Sequence, residues 1–134
     1  MQDAIRSIVI VGASAAGLAA ATALRDNGFK GSITMIGAED SLPYDRPPLS
    51  KTDCSNLNDI ALTTAAELAE MQIETRLGLR ATDLDYHARF VTLENGETVS
   101  WDRCIITTGA DPVRLSPDSL VLRSHQDAIR ISES

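Results

Sequence analysis

A short glycine-containing segment near the amino terminus has the residue types of a phosphate-binding turn. Gly12-Ala13-Ser14-Ala15-Ala16-Gly17 follows an apolar run and precedes a stretch of good helix formers, which is the context that a G-x-G-x-x-G pattern requires. Gly12 permits a tight turn, Gly17 permits close packing of the helix, and the helix amino terminus attracts a pyrophosphate. Ser14 replaces the middle glycine, and its hydroxyl is a further candidate phosphate donor. A dinucleotide site and a plain strand-to-helix turn both fit this segment.

A carboxylate lies where a nucleotide ribose is bound in dinucleotide folds. Glu39 comes about 20 residues after Gly17 and just beyond a second apolar run, and an acid at this position accepts the ribose hydroxyls of an adenosine. A carboxylate also repels a 2′-phosphate, so we expect NADP not to bind this half of a site. The alternative is that Glu39 and Asp40 are solvated loop charges.

The elements that position these residues alternate between strands and helices. Ile8-Val9-Ile10-Val11 is apolar at every position, as expected of a strand buried on both faces of a parallel sheet. A helix follows from Ala15 to Asn27 and ends at Gly28. The remaining predicted strands are 32–36, 73–77, 80–84, 89–93, 98–101 and 104–106, with a hairpin turn at Asn95-Gly96. Two further helices are predicted, one over Thr63 to Glu70 and one from near Ser124.

These elements predict an α/β fold with a Rossmann-like parallel sheet, helices and an inserted antiparallel β-meander. The meander precedes the last strand of the parallel sheet. Parallel sheets bind ligands at the carboxyl ends of their strands, which are marked here by Gly12, Ile36 and Thr107. We therefore expect the ligand at that edge of the sheet.

The composition excludes several classes of protein. The 134 residues carry a net charge of −7, from 12 Lys and Arg against 19 Asp and Glu, which argues against a nucleic-acid groove or an anionic membrane surface. The two cysteines, Cys54 and Cys104, lack the spacing of a metal site or a redox pair. No apolar window has the length of a membrane span or of a signal-peptide core, so we predict a cytoplasmic protein.

A proline-rich segment is more specific than the glycine turn. Leu42-Pro43-Tyr44-Asp45-Arg46-Pro47-Pro48-Leu49-Ser50-Lys51, taken with residues 8–25 and 33–40, closely resembles the FAD-dependent ferredoxin reductases of bacterial oxygenase systems, within the pyridine nucleotide-disulfide oxidoreductase superfamily. The resemblance runs from about Ile5 to about Asp127. It implies an FAD/NAD(P)-binding domain from enzymes that take a hydride from NADH onto FAD and pass single electrons to a small iron–sulfur protein.

The resemblance implies a set of cofactor contacts. The FAD pyrophosphate would lie on Gly12, Ser14, Ala15, Ala16 and Gly17, and the adenosine ribose on Glu39. Arg46 matches a cation on the adenine or phosphate side. Lys51 matches a cation near the flavin N5, where it stabilises negative charge on the reduced ring, and it is the single candidate catalytic residue.

Further contacts follow from the same resemblance. Ala81 would meet the adenine through its backbone, Thr107, Thr108 and Gly109 would form a turn that lets the backbone approach the cofactor, and Arg114 would reach the flavin side. Three positions depart from the family pattern. Ser14 replaces a glycine, Ala38 stands where many members have the acid, and Thr107 replaces an alanine.

The resemblance covers one part of a reductase, and the sequence holds no second glycine fingerprint for NADH. We divide this partial FAD-binding domain, residues 1–134, into a βαβ core with the cofactor loop (1–78), a β-meander (79–101), a return strand and turn (102–115), and a tail or truncated helix (116–134). Whether the chain is an enzyme by itself stays open. Since neither usual redox-cysteine position holds a cysteine, thiol–disulfide chemistry is not expected.

Three functions remain in competition. The first is an electron-transfer module that binds FAD and serves a ferredoxin, completed by a second copy of the chain or by a partner subunit. The second is a non-catalytic scaffold or regulatory subunit with weak or no FAD binding, which the three departures favour. The third is an NAD-binding Rossmann module, which leaves the proline-rich segment without a role.

Overall fold

Two β-sheets and three helices make up the described part of the fold, which in this computed structural model covers residues 4–44, 61–109 and 123–132. The strands and helices fall within one or two residues of the predicted ones. In chain order they are β1 (Ser7–Val11), α1 (Ala15–Asp26), β2 (Ser32–Gly37), α2 (Ala65–Glu70), β3 (Ile73–Leu77), β4 (Ala81–Asp85), β5 (Phe90–Leu93), β6 (Thr98–Ser100), β7 (Arg103–Ile106) and α3 (His125–Ser132).

The larger sheet is parallel and the smaller one is antiparallel, which confirms the predicted fold class. The strand order is β3-β2-β1-β7 in the first sheet and β4-β5-β6 in the second. β1 pairs with β2 from Ser7 opposite Ser32, and with β7 from Ile8 opposite Arg103. The meander is inserted between β3 and β7, so the last strand returns to the open side of β1.

β1 is buried on both faces, as its uniform apolar run predicts. Ile8 and Ile10 pack into a cluster with residues of α1 and α2, whereas Val9 and Val11 pack into a second cluster with β5 and Trp101. Because successive side chains of a strand point to opposite faces, one face of the parallel sheet is covered by helices and the other by the antiparallel sheet.

Arg25, near the end of α1, ties the helix side of the fold together. Its guanidinium donates hydrogen bonds to four main-chain carbonyls, those of Met71 (2.7 Å), Phe29 (2.8 Å), Gly31 (2.8 Å) and Gln72 (3.1 Å). The first lies after α2 and the last just before β3, while the middle two lie in the turn before β2. One side chain therefore satisfies carbonyls of two connections, α1–β2 and α2–β3, which fixes α1 against the sheet.

The start of the second helix corrects the sequence prediction by two residues. α2 begins at Ala65, and Thr64 is its cap because the Glu67 N–H donates to the Thr64 hydroxyl at 3.1 Å. The Thr63 hydroxyl instead donates to the Glu67 carboxylate at 3.1 Å. Thr64 and Glu67 have the three-residue spacing of a capping box, which Thr63 and Glu67 lack.

The hairpin between β5 and β6 lies where predicted, and its turn has a positive φ at Gly96 but not at Asn95. Gly96 has a φ of +89°, whereas the positive-φ non-glycine residues of the described chain are Gln72 and Arg89 and not Asn95. The Leu93 N–H donates to the Glu97 carbonyl at 2.8 Å, which closes a three-residue loop with glycine in the left-handed position. Asn95 contributes through its side chain, which accepts from the Glu97 N–H at 3.0 Å.

Asp102, just before β7, secures the start of β1. Its carboxylate accepts hydrogen bonds from the N–H groups of Arg6 at 2.8 Å and Ser7 at 3.1 Å. The hydrogen bond from Arg6, joined by those from Ser7, holds the pKa of Asp102 below its ordinary value despite the opposing effect of burial. The ionised carboxylate therefore stabilises the junction of β1 and β7.

Replacement of Asp102 tests this junction through its pH dependence. A carboxyl whose pKa is lowered by folding stabilises the protein above its unfolded pKa of 3.8, and that contribution disappears as the pH falls through the folded pKa. We expect Asp102→Asn to lower the urea midpoint at pH 7, and to lower it by less at pH 3.

Asp26→Asn is the matched control for this comparison, because Asp26 is exposed and its replacement removes the same charge. An equal deficit of Asp102→Asn at both pH values would show that the loss comes from packing and not from the carboxylate charge.

Candidate functional site

The carboxyl ends of three parallel strands meet at one edge of the larger sheet. The Gly12 N–H donates to the Ile36 carbonyl at 2.7 Å, and the Thr107 N–H donates to the Val11 carbonyl at 2.8 Å. The ends of β1, β2 and β7 are therefore joined directly. This is the edge at which the sequence predicts a ligand.

Two glycines at this edge stand where a side chain has no room. A Cβ on Gly12, whose φ is +124°, would lie 2.4 Å from the Thr107 carbonyl oxygen, and a Cβ on Gly17 would lie 2.0 Å from the Gly12 carbonyl oxygen. Real Cβ atoms do not come this close to backbone atoms. Gly12 and Gly17 thus let α1 begin in direct contact with the ends of β1 and β7.

Ser14 and Thr107, two of the three departures from the family pattern, contact each other. The Ser14 hydroxyl donates to the Thr107 carbonyl at 3.4 Å. The Thr107 hydroxyl lies 3.0 Å from the Gly12 carbonyl and 3.3 Å from the Val11 carbonyl, as a donor. The hydroxyl that the sequence suggests as a phosphate donor therefore has a partner within the chain.

The first turn of α1 presents main-chain donors at the same edge. The first intrahelical hydrogen bond runs from the Leu18 N–H to the Ser14 carbonyl at 2.8 Å. Among the described residues, none accepts a hydrogen bond from the N–H groups of Ala15, Ala16 or Gly17. Ala15 and Ala16 are small and exposed, and this turn contains no acidic residue. The residues of this turn do not repel an anion by charge, and the amino terminus of the helix attracts one.

Glu39 lies beside this turn, in the connection that leaves β2. A Cβ on Gly37 would come within 2.6 Å of the Ala13 Cβ, so the two loops touch. The Gly78 N–H donates to the Glu39 carbonyl at 2.9 Å, and the Tyr44 hydroxyl donates to the Glu39 carboxylate at 2.7 Å. A cleft of about 450 Å³ opens here, lined by Ala38, Glu39, Asp40, Ser41, Gly78, His125 and Gln126.

The third helix closes one side of the cleft. The Asp127 N–H donates to the Ser124 hydroxyl at 3.2 Å, and the Asp127 carboxylate accepts from the N–H groups of Ser124 at 3.0 Å and Arg123 at 3.1 Å. Burial raises the pKa of Asp127, but these hydrogen bonds outweigh burial and lower it. The Arg123 guanidinium donates to the Thr108 carbonyl at 3.3 Å, which joins α3 to the end of the sheet.

The structure brings most of the described candidate residues to this edge. The glycine turn, Glu39 and the residues 107–109 lie together around the strand ends. Ala81 is placed differently, because it starts β4 opposite Leu93 and packs against the second core cluster. Arg46, Lys51 and Arg114 lie outside the described residues.

Sequence reasoning did not assign a role to Tyr44, Arg123, His125 or Gln126. The start of α3 lies where the sequence predicts a helix, and Ser124 and Asp127 have the three-residue spacing of a capping pattern there. Nothing local shows that this helix packs beside Glu39, because the contact between His125 and Tyr44 spans 81 positions of sequence.

Two other features bear on the chemistry. Cys104 is half-buried in β7, and burial raises the pKa of its thiol, which disfavours the reactive thiolate; Cys54 lies outside the described residues. In residues 4–44, 61–109 and 123–132, no group of three or more His, Cys, Asp or Glu is placed to hold a metal ion. No helix within those ranges has the length and apolar character to cross a membrane.

Comparison with known proteins gives consistent matches along the chain. The profile of the pyridine nucleotide-disulphide oxidoreductase family matches residues 6–133. The chain is 41% identical to the ferredoxin–NAD(+) reductase component of the p-cumate 2,3-dioxygenase system of Pseudomonas putida, over 87% of this chain and 29% of that protein. It is 37% identical to the corresponding subunit of the Pseudomonas putida benzene 1,2-dioxygenase system, over 95% of this chain and 33% of that protein.

A solved structure agrees with these matches. The covalent complex of putidaredoxin reductase with putidaredoxin superposes with a TM-score of 0.86 at 29% identity, over 98% of this chain and 34% of the matched chain. This chain therefore spans about a third of the length of the proteins that it resembles.

Gly17→Ala tests the close contact under α1. Helix propensity alone predicts a gain of up to about 1 kcal/mol from this substitution, whereas overpacking against the Gly12 carbonyl predicts a loss of roughly 1–3 kcal/mol. We expect the loss, measured as the free energy of unfolding in urea. Ala19→Gly, at an exposed position of α1, is the control, because it measures the propensity difference in the same helix without the contact at Gly12. A stabilised Gly17→Ala variant would contradict the contact.

Thr107→Val tests the hydroxyl under the glycine turn. Valine keeps the shape of threonine but removes the hydrogen bonds to Gly12 and Val11, so we expect a loss of about 1 kcal/mol in unfolding free energy. Thr98→Val, at an exposed position of β6, is expected to change it by less than about 0.5 kcal/mol. Equal effects at both positions would mean that the Thr107 hydroxyl adds no stability.

Proposed function

The chain belongs to the pyridine nucleotide-disulphide oxidoreductase family, and from this we propose that it binds FAD and serves electron transfer as the FAD-binding portion of a ferredoxin-reductase-like flavoprotein. One observation carries the proposal. The main-chain donors of α1 and the Glu39 carboxylate both lie at the carboxyl edge of a parallel sheet, and a dinucleotide requires both kinds of group there.

The pyrophosphate of FAD fits the first turn of α1. Its negative charge would be stabilised by the N–H groups of Ala15, Ala16 and Gly17 and by the positive end of the helix. The Ser14 side chain, held at the Thr107 carbonyl, leaves these donors open. Serine at this position is thus compatible with a phosphate contact through the backbone.

The adenosine of FAD fits the cleft beside Glu39. The cleft has about 450 Å³, within the range of small-molecule sites, and its wall carries the Glu39 and Asp40 carboxylates. Glu39 would accept the ribose hydroxyls, while the two negative charges would repel the 2′-phosphate of NADP. Glu39 can fill this role although Ala38 occupies the position of the acid in many relatives.

The flavin half of FAD is assigned from the resemblance. We propose that Arg46, Lys51 and Arg114 lie on the flavin side. Thr107, Thr108 and Gly109 would approach the cofactor through their backbone. On the other half of the cofactor, the backbone of Ala81 would contact the adenine. Bound FAD supplies the ability to take two electrons as a hydride and release them singly. Lys51 would hold its positive charge near the flavin N5.

The names of similar proteins indicate the partners. Two relatives are ferredoxin–NAD(+) reductases, and a similar solved structure is a complex with putidaredoxin, so we propose a ferredoxin as the electron acceptor. The sequence contains one glycine fingerprint, and hydride transfer needs a nicotinamide held against the flavin. We propose that this site lies beyond these 134 residues, in a further part of the protein, a second copy of the chain or a partner subunit.

FAD binding by the purified protein tests the proposal. We expect a visible flavin spectrum, or tight uptake of added FAD measured by quenching of its fluorescence, and weaker binding of NAD⁺. Glu39→Gln should weaken FAD binding by roughly tenfold, because a hydrogen bond to a charged group is lost. Glu70→Gln, at an exposed residue of α2, is the control for loss of charge.

Two results would contradict the proposal. A protein without flavin that does not take up added FAD would favour the scaffold function. Tighter binding of NAD⁺ than of FAD would favour an NAD-binding module.

A further inference from the structure

We propose that Tyr44 is a positioning residue for the adenosine site, whose hydroxyl orients the Glu39 carboxylate toward the ribose and connects it to the first turn of α3. The inference rests on the proposed function, since it concerns how that site recognises its ligand. Tyr44 would act through Glu39 and not by touching the cofactor.

The direction of each hydrogen bond at Tyr44 follows from its chemistry. The Tyr44 oxygen lies 2.8 Å from the His125 main-chain nitrogen and 2.7 Å from the Glu39 carboxylate. A main-chain N–H can only donate, so the phenol oxygen accepts from His125. Its single proton is then directed to Glu39. The hydroxyl thus donates to Glu39 and accepts from His125, so it links the position of the carboxylate to the position of α3.

The Tyr44 ring is itself held in place. It is 6% exposed, and its backbone pairs in an antiparallel bridge with Ala61. Next to it, the Leu62 N–H donates to the Pro43 carbonyl at 3.0 Å. Tyr44 therefore lies where the two ends of the segment between it and Ala61, which carries Arg46 and Lys51, are paired. A buried, doubly bonded phenol has little freedom to move, which makes it a rigid support for a carboxylate.

The consequence is a specific effect on ribose recognition. A carboxylate has two oxygens and about four acceptor positions, so a bond from Tyr44 leaves acceptor capacity for a ribose hydroxyl while it restricts the rotation of Glu39. Without the phenol oxygen, Glu39 loses this restraint. Binding should then depend less on the ribose 2′-hydroxyl, whereas the pyrophosphate contacts at α1 stay as they are.

The experiment compares two ligands on two proteins. Dissociation constants of ADP and 2′-deoxy-ADP are measured by calorimetry for the wild type and for Tyr44→Phe. In the wild type we expect 2′-deoxy-ADP to bind roughly tenfold more weakly than ADP, because it lacks the hydroxyl that Glu39 accepts. In Tyr44→Phe we expect ADP to bind roughly tenfold more weakly than in the wild type, with the ratio between the ligands reduced to about threefold or less.

Tyr86→Phe is the matched control. It removes the same atom from a tyrosine that is 74% exposed beside His87 on the β4–β5 turn. This variant should keep the wild-type ratio between the ligands.

The outcomes separate the positioning role from the proposed function. If Tyr44→Phe weakens both ligands equally, or neither, Tyr44 has a structural role at most and the inference is wrong, while FAD binding by the wild type still stands. If the wild type binds neither FAD nor ADP, the proposed function and this inference fail together.

A second measurement on the wild type covers the case in which Tyr44→Phe does not fold. The His125 amide resonance in a nitrogen–proton correlation spectrum should shift more with ADP than with 2′-deoxy-ADP, whereas the Asp127 amide, which donates to the Ser124 hydroxyl, should not distinguish them. Equal shifts of His125 with both ligands would overturn the inference.

Discussion

The contact between Gly17 and the Gly12 carbonyl is the constraint on which the site depends. With a Cβ at either position, α1 would have to move away from the ends of β1 and β7. Because both positions are glycine, the helix starts directly at the strand ends and its first N–H groups open at the edge of the sheet. The Thr107 side chain lies against this turn, and its hydroxyl donates to the Gly12 and Val11 carbonyls.

The other described elements keep that edge in place without covering it. The alternating side chains of β1 join two separate clusters, so helices cover one face of the parallel sheet and the meander covers the other. Arg25 binds the connections at the far end of α1, and Asp102 binds the start of β1. The faces of the sheet are buried by these elements, and the carboxyl edge is where a ligand can enter.

Around this edge, polar contacts join segments that are distant in sequence. Glu39 follows β2, Tyr44 stands at the base of the segment that carries Arg46 and Lys51, and His125 begins α3. The Tyr44 hydroxyl connects all three. The position of the Glu39 carboxylate is therefore linked to the placement of α3. Arg123, just before α3, donates to the Thr108 carbonyl. The start of α3 therefore contacts both the Glu39 side of the cleft, through Tyr44, and the end of β7.

Local sequence patterns predict the strands, the first helix, the glycine turn and the position of Glu39, because apolar periodicity and the spacing of turn residues are local properties. Local patterns left smaller errors, such as the start of α2, which lies at Ala65 and not at Thr63. Two contacts arise from tertiary packing alone. The Ser14 hydroxyl bonds to the Thr107 carbonyl, 93 positions away, and the Tyr44 hydroxyl bonds to both Glu39 and His125. Those contacts depend on how α1, β7 and α3 pack against the sheet, and no periodicity along the chain specifies which distant polar groups that packing brings within hydrogen-bonding distance.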